Sequence, residues 1–265
     1  MKLILYFSLN ATMQSKIIDI NHHQRFEAKY IVSDLQAEAI KDFIQPHVIP
    51  DPNAQNGAAY PVYSMYLDSR DLRLYWMSSY GLKNRFKLRV RWYDGKGAEP
   101  FFLEIKRRID GLVQKQRVRI DRDSLERFLG QRQAVSLNLD LFNEQERYNM
   151  LQFFDYTKYL NAEPKIMVRY IREAYVFKHE QRTRITFDNR IQCLSLPSFY
   201  RSLNLSNQDW DQVFDLPVVL EIKFTDSFPR WIQNVVREFG LLRDSLAKYL
   251  FCTQELKKHG RIITA

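Results

Sequence analysis

The chain has 265 residues, 45% of them apolar and 14% aromatic, which is ample for a core and marks a globular, soluble protein. Its formal net charge of +9 points to an anionic partner: nucleic acid, an acidic membrane surface or a phosphate-rich small molecule. The two cysteines, Cys193 and Cys252, are far apart with no His or Cys at ligand spacing, so neither a disulfide framework nor a zinc site is supported; reduced thiols in a cytoplasmic setting fit better, and no apolar run is long enough to cross a bilayer.

Residues 1–23 begin with the short apolar run Leu3-Ile4-Leu5 and read as an N-terminal extension, since no small-residue cleavage site follows. From Gln24 to Val32 the chain alternates as a strand does, with Arg25, Glu27 and Lys29 on one face. Ser33 and Gln36 form a capping box, and Leu35, Ala39, Ile40, Phe43 and Ile44 give a helix its apolar stripe up to Pro46. Pro50 to Pro61 is a loop by composition. Tyr60 to Asp68 is a strand, followed by a short helix-like turn around Leu72, Leu74 and Tyr75.

The stretch from Arg85 to Asp121 carries the strongest pattern. Arg85, Lys87, Arg89 and Arg91 share one strand face while Phe86, Leu88, Val90 and Trp92 share the other. After the Asp94-Gly95-Lys96-Gly97 turn, Glu104 and Lys106 lie opposite Leu103 and Ile105. A second turn at Asp110-Gly111 leads to Lys115, Arg117 and Arg119, which alternate with Val118 and Ile120.

Asp123-Ser124-Leu125-Glu126 caps a helix to about Gly130, and Asn143 to Leu160 reads as a longer helix. Strands return at Lys165 to Phe177 and Arg182 to Asp188, where Arg182, Arg184, Thr186 and Asp188 share a face. Another runs from Val218 to Thr225, with Glu221 and Lys223 opposed by Leu220, Ile222 and Phe224. Pro229 and Gly240 bracket a helix, and Asp244 to Leu256 forms the last one. No composition shift marks a boundary, so residues 24–258 are read as one domain and 259–265 as a tail.

An antiparallel sheet ordinarily turns such a polar face to solvent. Solvent faces mix Lys, Glu, Ser, Thr and Gln, however, whereas these concentrate Arg and Lys. If the helices cover the apolar outside of a closed barrel, the cations line its lumen and repel one another unless an anionic guest is present. Nucleic acid is not the expected guest. Phe86, Trp92 and Tyr93 interleave with the Arg run, but the apolar set sits opposite the cations, whereas a base-stacking platform puts both on one face.

The order Arg25-Phe-Glu27-Ala-Lys29-Tyr, Tyr63-Ser-Met-Tyr-Leu-Asp68, Lys87-Leu-Arg89-Val-Arg91-Trp-Tyr, Leu103-Glu-Ile-Lys106 and Lys115-Gln-Arg117-Val-Arg119 resembles the VTC domain. The match continues through Arg169-Tyr-Ile-Arg172, Arg182-Thr-Arg184-Ile-Thr-Phe-Asp188, Leu220-Glu-Ile-Lys223 and Lys248-Tyr249. The resemblance implies an α+β fold of the triphosphate tunnel metalloenzyme type, related to CYTH phosphatases: an antiparallel β-barrel tunnel with helices packed outside. It implies polyphosphate synthesis from ATP with a divalent metal, Mn²⁺ rather than Mg²⁺. By the same resemblance Lys29, Arg89, Arg91, Arg172 and Arg184 are catalytic, Lys87, Lys106, Lys115, Arg117, Lys223 and Lys248 bind phosphate or nucleotide, and Glu221 binds the metal.

The residue types suit that chemistry, because phosphoryl transfer chiefly needs positioning and charge stabilisation. Arg forks grip two phosphate oxygens at once, and Lys supplies point charge. A carboxylate in such surroundings suits a metal bridging phosphates, or else an ion pair with Lys223. Glu27 and Glu104 are open between those roles. Hydrolytic relatives carry Glu-x-Glu-x-Lys on the first strand; here Arg25 replaces the first carboxylate, which argues against a two-metal hydrolase. A tripolyphosphatase or nucleoside triphosphatase, a non-catalytic polyphosphate-binding module and a separate membrane-protein partner stay open.

Overall fold

A computed structural model describes residues 25–52, 54, 59–93, 100–110, 112–131, 141–179, 182–196, 210–213, 215–225 and 228–262. The N-terminal extension and the Asp94–Gly97 turn lie outside the described residues.

The alternating segments all enter one antiparallel sheet. Its strands are β1 (Arg25–Val32), β2 (Val48–Pro50), β3 (Tyr60–Asp68), β4 (Arg85–Trp92), β5 (Phe101–Ile109), β6 (Leu112–Ile120), β7 (Glu163–Phe177), β8 (Arg184–Ser195), β9 (Asp211–Gln212) and β10 (Val218–Thr225). The hydrogen-bonded path is β1-β10-β8-β7-β3-β4-β5-β6, with β2 beside β7 and β9 beside β8. Although β1 and β5 lie near opposite ends of that path, Lys106 on β5 meets Glu27 on β1 at 3.3 Å. The sheet therefore curls until its far strands face each other. The expected α+β barrel architecture is present as a curled half-barrel: β1 and β6 share no ladder among the described residues, so side chains rather than backbone bonds span the gap.

Among the described residues six helices clothe the sheet: α1 (Asp34–Ile44), α2 (Arg73–Ser79), α3 (Arg122–Gln131), α4 (Glu144–Tyr159), α5 (Arg230–Glu238) and α6 (Lys248–Lys258). The apolar strand faces need this cover, and they bury it in two cores. One joins Leu88, Val90, Trp92, Leu103 and Ile105 to Phe128 of α3 and Phe153 of α4. The other joins Ala28, Tyr30, Phe187, Leu220 and Ile222 to Ile40 of α1 and Ile232 of α5. The predicted capping box at Ser33–Gln36 forms, and α4, expected only as a helix from Asn143, opens on a second one at Asn143–Glu146.

Several boundaries differ from expectation; β7 begins at Glu163 rather than Lys165, and β8 runs on past Asp188 to Ser195. The cap of α3 is Asp121, whose carboxylate accepts from the Ser124 N–H at 2.7 Å, rather than Asp123. Strand β8 starts at Arg184, not Arg182. The last helix starts at Lys248, not Asp244: the Asp244 N–H donates to the Lys29 carbonyl at 2.9 Å, and the Lys29 ammonium donates to the Leu246 carbonyl at 3.1 Å. With those groups committed to β1 and Leu246 buried, residues 241–247 stay out of the helix.

Helix α6 also departs from the rule that helices lie outside. Tyr249 in its first turn stacks on Tyr66 of β3 with ring centroids 4.8 Å apart, and its hydroxyl donates to buried Asp68 at 2.5 Å. Asp68 also accepts from the Leu74 and Tyr75 N–H groups at the start of α2, taking the role of a missing side-chain cap at Leu72. One carboxylate thus ties β3, α2 and α6 together.

A cationic concave face as the candidate active site

Antiparallel register converts the sequence pattern into rows across the sheet. Across β4, β5 and β6 the partners run Lys87–Lys106–Lys115, then Arg89–Glu104–Arg117, then Arg91–Phe102–Arg119. Like charges directly opposite are unfavourable in a sheet, so the lysine row is a local conflict within an otherwise consistent fold.

The middle row resolves its charge internally. Glu104, fully buried, meets Arg89 at 2.6 Å, Lys115 at 2.7 Å and Arg117 at 2.8 Å. Burial opposes its ionisation, but Arg89, Arg91, Lys115 and Arg117 outweigh it and hold the carboxyl far below the usual carboxylate range. The lysine row resolves only in part, through Lys115 to Glu104 and Lys106 to Glu27. Burial, with Lys106, Lys29 and Arg85 nearby, pushes Lys87 down to about 7; it has no carboxylate partner among the described residues. Burial brings Lys115 to about 7 despite Glu104, and brings Lys106 to about 8 together with Lys29 and despite Glu27 and Glu221.

Arg91 is 7% exposed and donates to the Ser64 hydroxyl at 3.2 Å and the Tyr170 hydroxyl at 3.0 Å. No carboxylate lies within ion-pairing distance of it among the described residues. A buried guanidinium held only by neutral oxygens has donors to spare for an anion.

The facing wall comes from β1, β10, β8 and β7. Register places Lys29 opposite Glu221 and Glu27 opposite Lys223. Glu221 pairs with Lys223 at 2.6 Å and lies 3.9 Å from Arg172; Glu27 pairs with Lys29 at 2.6 Å. Burial disfavours the Glu221 carboxylate, yet Lys223, Lys29 and Arg172 hold it well below its ordinary value. Burial outweighs Glu221 at Lys223, whose ammonium is pushed down. Arg172 grips Asp188 with two bonds of 2.6 and 2.7 Å, and Lys248 reaches the same carboxylate from α6 at 2.6 Å. Against burial, Arg172 and Lys248 hold Asp188 at about 2. Arg184 pairs with Asp51 at 2.8 Å and donates to the Tyr60 hydroxyl at 3.3 Å.

The structure thus brings Lys29, Lys87, Arg89, Arg91, Lys106, Lys115, Arg117, Arg172, Arg184, Glu221, Lys223 and Lys248 to one concave surface. Sequence reasoning missed part of its lining. Asp188 shares a face with Arg184 by the two-residue period and carried that signal unused. Tyr93 was grouped with the aromatics opposite the cations, but its hydroxyl accepts from Arg117 at 2.6 Å on the concave side, as its spacing of two from Arg91 requires. Tyr170 shares a face with Arg172 by the same period and carried that signal unused as well; the nearby register shift lies on β8, where Arg190 and Ile191 together oppose Tyr170.

For a divalent metal the residues fit in part. Glu221 and Glu27 lie diagonally across the β1–β10 ladder and supply hard oxygen donors, but the described residues contain no group of three or more His, Cys, Asp or Glu positioned to hold an ion. Such a pair suits an ion whose remaining ligands are phosphate oxygens and water. The ion-pair alternative for Glu221 is also realised through Lys223, so any metal would compete with that ammonium.

Fold and face together define a curled antiparallel half-barrel with a cation-rich concave face. The family model described as the VTC domain matches residues 24–257, and the chain belongs to that family. No curated protein matches it. Among solved structures it is similar to bh2851 of Bacillus halodurans, described as a candidate adenylate cyclase, at 12% identity and a TM-score of 0.47, over 85% of this chain and 94% of that one. PH1819 of Pyrococcus horikoshii OT3 follows at 14% identity and 0.44, over 89% and 99%; the Mimivirus capping enzyme triphosphatase is at 9% and 0.33, over 87% and 93%. At that distance these likenesses carry nothing about activity. No helix among the described residues is long and apolar enough to cross a membrane.

Proposed function

We propose that the chain is a polyphosphate polymerase that transfers the γ-phosphoryl group of ATP to a growing phosphate chain along the concave face. The observation that carries this reading is the pair Arg91 and Lys87: Arg91 is buried and Lys87 half-buried in the cationic face, and neither has a carboxylate partner among the described residues. Burying such charges costs several kcal/mol, on the order of the desolvation penalty for an unpaired ion, and a polyanion offsets that cost.

Arg89 and Arg91 would grip phosphate oxygens as forks, while Lys87, Lys106, Lys115 and Lys223 supply charge along the run. Lys29, Arg172 and Arg184 face them from the opposite wall, where charge on the transferred group would be stabilised between the two sets. Glu221, with Glu27 beside it, would hold a divalent ion, Mn²⁺ rather than Mg²⁺, which when bound neutralises charge on the phosphate oxygens.

Incubation with ATP and Mn²⁺ is expected to give a ladder of phosphate chains on a gel. Glu221→Ala should abolish it, and Arg89→Ala should reduce it by roughly 10²–10³, the range for removing a transition-state donor. Orthophosphate release without a ladder would identify a hydrolase instead. Polyphosphate binding without ATP consumption would identify a binding module.

A further inference from the structure

The two ends of the concave face are chemically different. Toward one end, β4 and β5 place Lys87 opposite Lys106 and Arg85 opposite Arg108. Toward the other, three rings on β3, at the end of β4 and on β5, consecutive strands of the sheet, come together: Tyr60 and Tyr93 have centroids 6.1 Å apart, and Tyr93 and Phe102 6.0 Å. All three are half-buried, unlike the fully buried Trp92 and Phe101 on the outer face.

Tyr60 and Tyr93 pack in part against the larger core, but core packing alone does not set the trio. The rings are set among charges, and two are fixed by them: the Tyr93 hydroxyl accepts from Arg117, and the Tyr60 hydroxyl from Arg184. Arg117 also lies over Phe102, 3.7 Å from its centroid. The rings meet edge to face, at 62° and 67°, and rings anchored in this way are held rigid, which lowers the ordering cost of stacking a planar guest. From Phe102 to Lys106 is four residues of strand, about 13 Å at an antiparallel rise. That is comparable to the reach from base to γ-phosphate in an extended nucleoside triphosphate.

We propose that Tyr60, Tyr93 and Phe102 form a stacking shelf for the nucleobase of the phosphoryl donor. The shelf orients the nucleotide with its base at the aromatic end and its terminal phosphate toward the lysine row. The inference rests on the donor being a nucleoside triphosphate, but it concerns binding and is tested without turnover. Stacking is tolerant of base identity, because every base presents a π-face. Adenine, guanine and uracil nucleotides are therefore accepted alike.

The test compares dissociation constants, by calorimetry without divalent metal, for ATP, GTP, UTP, ribose 5-triphosphate and inorganic tripolyphosphate. In the unsubstituted protein the three nucleotides are expected to bind about tenfold tighter than the base-free ribose 5-triphosphate, within the range measured for base–aromatic stacking. Equal binding of ribose 5-triphosphate and ATP overturns the shelf with no variant needed. Tyr93→Leu and Phe102→Leu should each lower the preference for ATP over tripolyphosphate by about fivefold or more, while Tyr93→Phe, which keeps the ring and loses the hydroxyl, retains it. Parallel weakening of ATP and tripolyphosphate in the Leu variants also overturns the shelf. A protein that binds nucleotides in this pattern yet makes no phosphate chains would overturn the polymerase reading and leave the shelf standing.

Discussion

Glu104 shows how a buried acid serves a cationic site. Three cations converge on it within 2.8 Å, so its removal leaves them facing one another in a poorly solvated surface. Glu104→Gln is expected to destabilise the free protein by about 3 kcal/mol, the lower range for breaking a buried pair, and excess tripolyphosphate should recover much of the loss in chemical denaturation. A loss that the anion does not reduce would assign Glu104 to packing alone. The lysine row makes the second residue-scale prediction. Lys87 and Lys115 sit near 7 and Lys106 near 8 in the free face, so all are partly neutral at neutral pH. A bound polyanion favours their charged forms, so the complex holds more protons than its components. Affinity should therefore rise as pH falls from about 9 and level off below about 6. Calorimetry in buffers of different ionisation heat would read proton uptake on binding; release would refute the assignment. Most of these residues were legible because the two-residue period is strict on β4, β5 and β6. That Lys87, Lys106 and Lys115 are pushed down was not, since their register partners are set by strand pairing and not by neighbours in sequence.

Among the elements, α6 is the one whose position the sequence misrepresented. Asp244 has the look of a helix start, but its N–H is taken by the Lys29 carbonyl, and the helix waits until Lys248. Long-range contacts of this kind leave no local trace, whereas the capping box of α1 needs only residues three apart. The consequence is that Lys248 and Tyr249 occupy the first turn, one reaching Asp188 and the other Asp68. Burial pushes the Asp68 carboxyl above its ordinary value even with Tyr249, Leu74, Tyr75 and Ser69 donating to it. Tyr249→Phe keeps the ring on Tyr66 and removes one donor; it should cost about 1–3 kcal/mol, read as a lower midpoint in urea unfolding. If Lys248 depends on this anchor, the variant should also weaken tripolyphosphate binding, and normal binding at lowered stability would show that Lys248 is held independently.

For the whole molecule, the fold class was readable because every charged strand face was backed by an apolar one that required a helix. The extent of closure was not, because curl depends on how twist accumulates along the sheet, and here the gap between its ends is bridged by Lys106 and Glu27. An interior with this excess of cations opposes its own compaction. Tripolyphosphate is expected to raise the thermal midpoint by several degrees at low ionic strength, for a binding energy on the order of 3 kcal/mol at a hundredfold excess over Kd. The increment should shrink as salt is added, because screening acts on the same charges. A salt-independent increment would place the anion outside this face.

The contact between the Lys29 ammonium and the Leu246 carbonyl joins residues 217 positions apart. Its consequence concerns the order of events during folding. Individual hairpins such as β5–β6 close over short loops and can form early, but the concave face exists only after the first strand has met the segment leading into the last helix. During synthesis the lysine row emerges well before Asp188 acquires Lys248. A nascent chain therefore displays its cations for a long interval before it has the pocket that organises them.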